Sequence, residues 1–208
     1  MKKENIELLS NTVKKLYDRN NLAYHNFNHI QDMLNLSEKY NCELTVGQLI
    51  AILYHDSAFV PCSIDNEERS IENMYIQMSK ENMSFYDRNE LAIAEQIILD
   101  IKEHIPTREE SKLVLDLNSA ILGFEPKIFK EYGKALYNEY KTVFTNEPDK
   151  STEIIFHEDT IELGTKILAR NNIYYTELFK NIYEKRATVN LLTMINESKS
   201  ILNNFKED

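Results

Sequence analysis

The sequence predicts an all-α protein, and three observations indicate it. Apolar side chains recur at intervals of three and four residues through most of the chain, which is the spacing of an amphipathic helix. No stretch of useful length alternates apolar and polar residues as a half-buried strand does. Four Gly and four Pro in 208 residues are too few for a turn-rich β sandwich. We therefore expect a single compact multi-helix domain over residues 1–208, because single cores commonly reach this size.

Five apolar stripes predict the helices of the first part of the chain, and each would bury one face of its helix. Their members are Leu9, Val13, Leu16 and Tyr17; Leu49, Ile50 and Leu53; Ile71, Met74, Tyr75 and Met78; Ala94, Ile97, Ile98 and Ile101; and Leu113, Val114, Leu117 and Ile121. Asp65, with Glu68 three residues later, is typical of the N-terminus of the third helix. Pro106 stops the fourth helix, and Gly123 is a suitable C-terminal cap for the fifth.

The rest of the chain predicts four further helices. We place them near residues 129–143, 161–170, 176–183 and 186–202. Residues 145–151 are polar and include Pro148, so we expect a surface loop that is too short to link two domains.

Charge and cysteine content exclude several classes of function. The net charge is −10, from 34 acidic and 24 basic side chains, so most of the surface repels a phosphate backbone and extended nucleic acid is not an expected partner. Cys42 and Cys62 are too few for a disulfide framework and form no CxxC pair. The sequence contains no pattern typical of a signal peptide or a membrane span. We expect a cytoplasmic protein that does not bind membranes.

Histidines and one aspartate form the pattern that carries chemistry. His25 and His29 are four residues apart, which on a helix places them on one face about 40° apart. His55 and Asp56 directly follow the apolar run 49–54, where an adjacent imidazole and carboxylate would be costly without partners. A divalent cation would satisfy both groups. Each pattern alone is common in proteins without a metal, and it is their combination with an acid on a later helix that indicates a metal site.

This ordered pattern, H…HD…D, and its surroundings resemble the successive motifs of a bacterial HD-domain family of predicted metal-dependent phosphohydrolases. The similar segments are YHNFNHI at 24–30, YHDSAFVP at 54–61, DNEERS at 65–70 and DLNSAILG at 116–123, with further likeness at 138–140 and 186–191. The resemblance covers nearly the whole chain. It implies an all-α HD-domain fold in which His29, His55, Asp56 and an acidic residue near 116 hold a divalent metal.

The activity that the resemblance implies is hydrolysis of a small phosphorylated molecule, such as a nucleotide, by attack of a metal-bound water. Imidazole and carboxylate ligands suit Mn²⁺, Fe²⁺, Ni²⁺, Co²⁺ or Zn²⁺ better than Mg²⁺, although the identity of the metal stays open. The ion would lower the pKa of its water and neutralise charge that develops on the phosphoryl oxygens. Asp56 is expected both to bind the metal and to face that water.

The last motif departs from the family's pattern, which reads approximately Asp-Ala-Asp-Leu-Ala-Ile-Leu-Gly. This chain has Asp116-Leu117-Asn118, so an amide replaces the second acid. On a helical wheel Asn118 falls inside the apolar arc and Asp116 at its edge, so both could reach an interior site. We expect Asp116 to be the ligand. If position 118 is the ligand instead, a neutral carbonyl replaces a carboxylate and metal affinity falls.

Three side chains besides Asp56 are candidates for catalysis. Glu67 resembles the acid of the family's Asn-Glu-x-x-Ser stretch, and it either orients or deprotonates the attacking water or simply stabilises a helix N-terminus. His25 and His104 either contact the substrate phosphate and protonate the leaving oxygen or are hydrogen-bonded histidines at helix ends. Arg69 either contacts a phosphate or, as we expect, forms an exposed ion pair with a neighbouring acid.

Two other functions stay open from the sequence. Asn118 favours a degenerate HD module that binds a nucleotide or a partner protein without turnover. An oxygen-activating di-iron HD enzyme would need additional ligands, and only His25, His104 and Glu67 could supply them.

Overall fold

The computed structural model describes residues 3–18, 22–80, 87–144 and 149–207. Within these ranges the regular structure consists of helices and contains no strand, which confirms the predicted all-α class. The helices are α1 (Lys3–Tyr17), α2 (Phe27–Lys39), α3 (Val46–Tyr54), α4 (Asn66–Lys80), α5 (Arg88–Glu103), α6 (Glu109–Ser119), a 3₁₀ helix (Ala120–Gly123), α7 (Pro126–Val143), α8 (Asp149–Leu168) and α9 (Glu177–Glu207). None of the helices in the described ranges combines the length and apolarity that a bilayer span requires.

The chain divides into two compact units, Met1–Asn118 and Ser119–Asp208. The single domain over residues 1–208 stays a prediction, and the two units are described in turn.

Helix α3 lies at the centre of the first unit, because it packs against α1, α2, α4 and α5. Every residue of α3 after the first is buried, as its continuous apolar run requires. A capping box begins the helix: the Gln48 backbone N–H donates to the Thr45 hydroxyl, and the Thr45 N–H donates to the Gln48 side chain. His55 and Asp56 directly follow its last turn and are therefore held at the end of a buried element.

Gly47 allows α3 and α5 to approach closely. A Cβ at this position would lie 2.7 Å from Cγ2 of Ile93 and 2.9 Å from the backbone oxygen of Glu90. The Gly47 N–H also donates to the Glu90 carboxylate at 2.6 Å. This bond satisfies one of the N–H groups that have no partner within the first turn of α3.

The second unit is built around α9, which packs against α8 and the 3₁₀ helix, while α7 packs against the same two elements. The Asn190 side-chain amide donates to the backbone oxygens of Leu122 at 2.8 Å and Phe124 at 2.9 Å. The Tyr174 hydroxyl donates to the backbone oxygen of Ser119 at 3.1 Å. Buried polar side chains therefore fix the 3₁₀ helix within this unit.

Two of the predicted helix boundaries were wrong. The helices predicted at 176–183 and 186–202 form one helix, α9, because neither Gly nor Pro lies between them to end the first. Helix α8 begins at Asp149, well before the predicted start at 161, because its apolar residues do not follow one face and give no clear periodic signal. Residues 149–151 of the predicted loop are therefore helical, and residues 145–148 lie outside the described residues.

Candidate metal centre

Three side chains that can bind a metal come together in the first unit. His29 lies in the first turn of α2, His55 ends α3, and Asp56 is the next residue. All three are buried, and one ligand atom from each lies within 4.8 Å of the others. Among the described residues, this is the one group of His, Cys, Asp and Glu side chains with that geometry.

His55 and Asp56 form the tightest pair of the group. The Nδ1–H of His55 donates to the backbone oxygen of Ile52 at 3.0 Å, so Nε2 is the nitrogen that faces the site. Nε2 lies 3.0 Å from Oδ2 of Asp56 yet has no hydrogen-bond partner of good geometry. A buried imidazole nitrogen beside a buried carboxylate oxygen requires a positive charge, which a proton or a cation supplies.

The pKa values of this pair reflect the same attraction. Burial alone lowers the pKa of His55, but the Asp56 carboxylate outweighs it and holds that pKa above its usual value. Burial alone raises the pKa of Asp56, but the His55 imidazole beside it, with smaller effects of His25 and His29, holds that pKa well below its usual range. Asp56 therefore stays ionised at physiological pH.

His29 contributes a neutral imidazole. Its Nε2 lies 3.9 Å from Oδ2 of Asp56 and 2.9 Å from Oδ1 of Asn118, which belongs to α6. Burial, assisted by the neighbouring His55, lowers the pKa of His29 from 6.5 to about 3. His29 is therefore uncharged at physiological pH, as a metal-binding histidine must be.

The distances in this group fit a divalent cation. Atoms bound to one ion at about 2.1 Å lie about 3.0 Å apart when they are adjacent at right angles and about 4.2 Å apart when they are opposite. The two separations within the group, 3.0 Å and 3.9 Å to Oδ2 of Asp56, fall within these limits. Two imidazole nitrogens, one carboxylate and one amide oxygen form a mixed donor set that suits first-row transition metals. The group could therefore hold a metal ion.

Of the two candidate positions on α6, the structure shows a contact with the group at position 118. Asp116 is fully buried but lies outside the group, whereas the Asn118 side chain contacts His29. Residues two apart on an α-helix project about 200° apart, so these two side chains leave α6 in different directions. The structure brings Asn118 into contact with His29, and Asp116 as a metal ligand stays a prediction.

His25 lies at the edge of the group. Its ring stacks on Phe59, with 3.7 Å between ring centroids and 17° between ring planes, and its centroid lies 6.4 Å from that of His29. The Tyr24 ring also packs against His29 at 4.8 Å. Aromatic rings therefore border the cluster on the α2 side, and the catalytic role of His25 stays a prediction.

Glu67 and His104 occupy different surroundings. Glu67 lies in the first turn of α4 and is half-buried, and burial raises its pKa, with a further contribution from the Asp56 carboxylate. His104 ends α5 in the left-handed conformation, at φ 51°, and lies outside the group. Their catalytic roles stay predictions. Arg69 forms an exposed ion pair with Asp65 at 3.6 Å, as the sequence indicates.

The sequence analysis overlooked the residues that hold the segment after Asp56. The Asn66 amide donates to the backbone oxygens of Val60 at 2.9 Å and Ser63 at 3.2 Å, and accepts from the Val60 N–H at 2.9 Å. The Ser70 hydroxyl accepts from the Ala58 N–H at 3.2 Å. Asn66 and Ser70 are both buried in α4 and belong to the Asn-Glu-x-x-Ser stretch, which was the available signal.

Comparisons with protein-family models, with curated proteins and with solved structures found no match to this chain.

Proposed function

We propose that this protein is a metal-dependent phosphohydrolase that acts on a small phosphorylated molecule such as a nucleotide. The observation that carries the proposal is the buried convergence of His29, His55 and Asp56, in which Nε2 of His55 lies 3.0 Å from Oδ2 of Asp56 and has no hydrogen-bond partner of good geometry. These are the residues at which the chain resembles the metal-binding motifs of HD-domain phosphohydrolases, so the chemistry of the cluster and the resemblance support the same function.

A divalent ion at this position would supply a Lewis acid for the phosphoryl oxygens and would activate water. The chain's own contribution is to prepare the ligands. The Ile52 carbonyl fixes which nitrogen of His55 faces the site, and burial keeps His29 neutral. Asp56 provides the negative charge, because the neighbouring imidazoles keep it ionised.

Acid–base chemistry is assigned to Glu67 and His25. Half-burial raises the pKa of Glu67, which moves this carboxyl toward the pH range in which a general base or acid is efficient. The His25 ring is held in place by stacking on Phe59 at the edge of the group, where it would contact a phosphoryl oxygen of the substrate. Both assignments concern proton transfer and phosphate contact, not metal binding.

The proposal is tested by assaying the purified protein against a panel of phosphomonoesters, phosphodiesters and nucleotides with Mn²⁺, Fe²⁺, Co²⁺, Ni²⁺, Zn²⁺ and Mg²⁺ in turn. We expect turnover of at least one compound, dependent on the metal and lost on chelation. Asp56→Asn should abolish it, whereas Asp18→Asn, an exposed aspartate paired with Lys14 in the same unit, should not. Equal turnover in Asp56→Asn and the natural protein would contradict the proposal.

Asn118 favours one alternative, a module that binds a nucleotide or a partner protein without turnover. An amide at this contact gives the site one negative charge, from Asp56, where a second carboxylate would give two. The same panel distinguishes the two functions, since the module would bind a nucleotide in a calorimetric titration without hydrolysing it. Asn118→Asp would then be the substitution that introduces turnover.

A further inference from the structure

A cavity of about 740 Å³ lies within the second unit, between α7, α8 and α9. Small-molecule sites in proteins commonly have volumes of about 300–1,000 Å³. Phe129 and Ser198, which line the cavity, are buried. The rings of Tyr137 and Phe156, with 5.1 Å between their centroids, form an aromatic wall. The cavity therefore offers an apolar interior of the size that a small organic molecule fills.

Gly133 leaves the room that this cavity occupies. A Cβ at Gly133 would meet no atom within 4 Å, whereas a Cβ at Gly47, Gly123 or Gly164 would meet one at 2.7, 2.5 or 3.0 Å. Close packing therefore explains three of the chain's four glycines and does not explain Gly133. Gly in a helix interior is less favourable than Ala, so its position in α7, on the wall of the cavity, points to space kept for a ligand.

The mouth of the cavity is positively charged. Lys127, Lys130 and Lys134 line the cavity, are exposed, and share one face of α7 by their spacing of three and four residues. Glu197 is the one acidic side chain among the described residues that line it, and it lies 3.7 Å from Lys130. Glu131 pairs with Lys134 beside the cavity, so three ammonium groups against two carboxylates leave an excess of one positive charge in a chain of net charge −10.

These lysines are available to a ligand. Lys130 pairs with Glu197, and Lys134 pairs with Glu131 at 2.7 Å, but all four side chains are more than half exposed. Exposed ion pairs contribute little to stability, so a ligand carboxylate can replace the partner at small cost. A local positive field above an apolar interior attracts a molecule that has an anionic end and an apolar body.

We propose that this cavity binds a single-chain amphipathic carboxylate, with its hydrocarbon chain against the aromatic wall and its carboxylate at the three lysines. The site lies wholly in the second unit and does not depend on the metal centre. Its function would be to take up a fatty carboxylate from solution, as a ligand distinct from any phosphorylated substrate.

The first test uses decanoate below its micellar concentration, titrated into the full chain by calorimetry. We expect one molecule bound per chain. Gly133→Leu should weaken binding at least about tenfold by filling the cavity, and Gly133→Ala, which adds one methyl group, should weaken it by a smaller factor. Thr160→Leu fills the same cavity from α8 and serves as a second variant if Gly133→Leu fails to fold by circular dichroism.

The second test separates the charge from the hydrocarbon. Replacing Lys127, Lys130 and Lys134 together by Gln should weaken decanoate binding about tenfold and leave 1-decanol binding unchanged, while Lys166→Gln on α8 should change neither. The proposal would be overturned if decanoate did not bind, or if the cavity-filling variants bound it with unchanged affinity. It would also be overturned if decyltrimethylammonium bound as tightly as decanoate, or if the protein bound anionic vesicles and did not bind monomeric decanoate.

Discussion

Replacing Asn118 by Asp tests the assignment of the α6 side chain in the metal centre. Oδ1 of Asn118 lies 2.9 Å from Nε2 of His29, so a carboxylate oxygen at the same place would become a charged ligand of the same cation. Because Asp is nearly isosteric with Asn, the substitution changes the charge of the site and leaves its shape intact. We expect Asn118→Asp to bind metal more tightly than the natural protein.

The size of the effect follows from two opposing energies. The attraction of a carboxylate ligand for a divalent ion exceeds the ~4 kcal/mol of two unit charges about 4 Å apart at an effective dielectric constant of ~20. Burying the new carboxylate consumes a large part of this attraction. We therefore expect a net gain of ~1.4–2.7 kcal/mol, which is about 10–100-fold in the dissociation constant. Without metal, the new carboxylate adds a second buried negative charge beside Asp56, so the thermal midpoint of the chelated variant should fall.

The assay is a competitive titration of metal against a chromophoric chelator, with thermal melts in the presence of metal and of chelator. Asp116→Asn is the control, since Asp116 lies outside the group and its loss should leave metal affinity within about threefold. Our assignment would be refuted if Asp116→Asn lost the metal while Asn118→Asp bound it as the natural protein does. Asp116 would then be the ligand that the sequence favoured.

Three further predictions follow from the described contacts. Glu67→Gln should lower kcat by roughly 10²–10⁴-fold and leave the metal content unchanged. The thermal midpoint of this variant should not fall, because burial already disfavours the charged carboxylate. An unchanged kcat with a lowered midpoint would mean that Glu67 has a structural role. Because the pKa of His29 is lowered from 6.5 to about 3, the neutral ring stabilises the fold above pH 6.5, and this contribution falls by ~1.4 kcal/mol per pH unit as the pH drops toward 3. Urea unfolding of the chelated protein at several pH values should show that the unfolding free energy of His29→Gln lacks this dependence on pH. Equal pH dependence in His29→Gln and the natural protein would contradict the prediction. Gly47→Ala should lower the free energy of unfolding by ~1–3 kcal/mol, because the new Cβ meets Ile93 and Glu90. Gly133→Ala should raise it by up to ~1 kcal/mol, because the new Cβ meets no atom. Equal unfolding free energies in the two variants would contradict the packing argument.

The helical class and the three-residue cluster could be predicted because strong local signals define them. An apolar run that is buried on all sides must form a central helix, and His55 and Asp56 at its end must then be buried beside other ligands. The rotation of α6 about its axis could not be predicted. Four successive residues of this helix, 114–117, are buried, so apolar periodicity does not distinguish the faces that carry Asp116 and Asn118.

Other parts of the account depend on tertiary packing that a single sequence does not specify. The hydrogen bonds of Asn66 and Ser70 to the segment after Asp56 depend on how that segment folds back on α4. The cavity of the second unit depends on the spacing of three helices. The sequence shows only that Gly133 weakens its helix, and the open space beside it appears only in the structure. The beginning of α8 was missed because its apolar residues are spread around the helix.

Metal content is the measurement that tests the central claim most directly. Elemental analysis of the purified protein, loaded with each divalent ion and then desalted, should find about one ion per chain. Asp56→Ala should lose it, because two neutral imidazoles and an amide attract a cation weakly, while Asp18→Ala should retain it. The assignment of His29, His55 and Asp56 as a metal centre would be contradicted if Asp56→Ala retained one ion per chain. It would also be contradicted if the natural protein retained none of the metals tested.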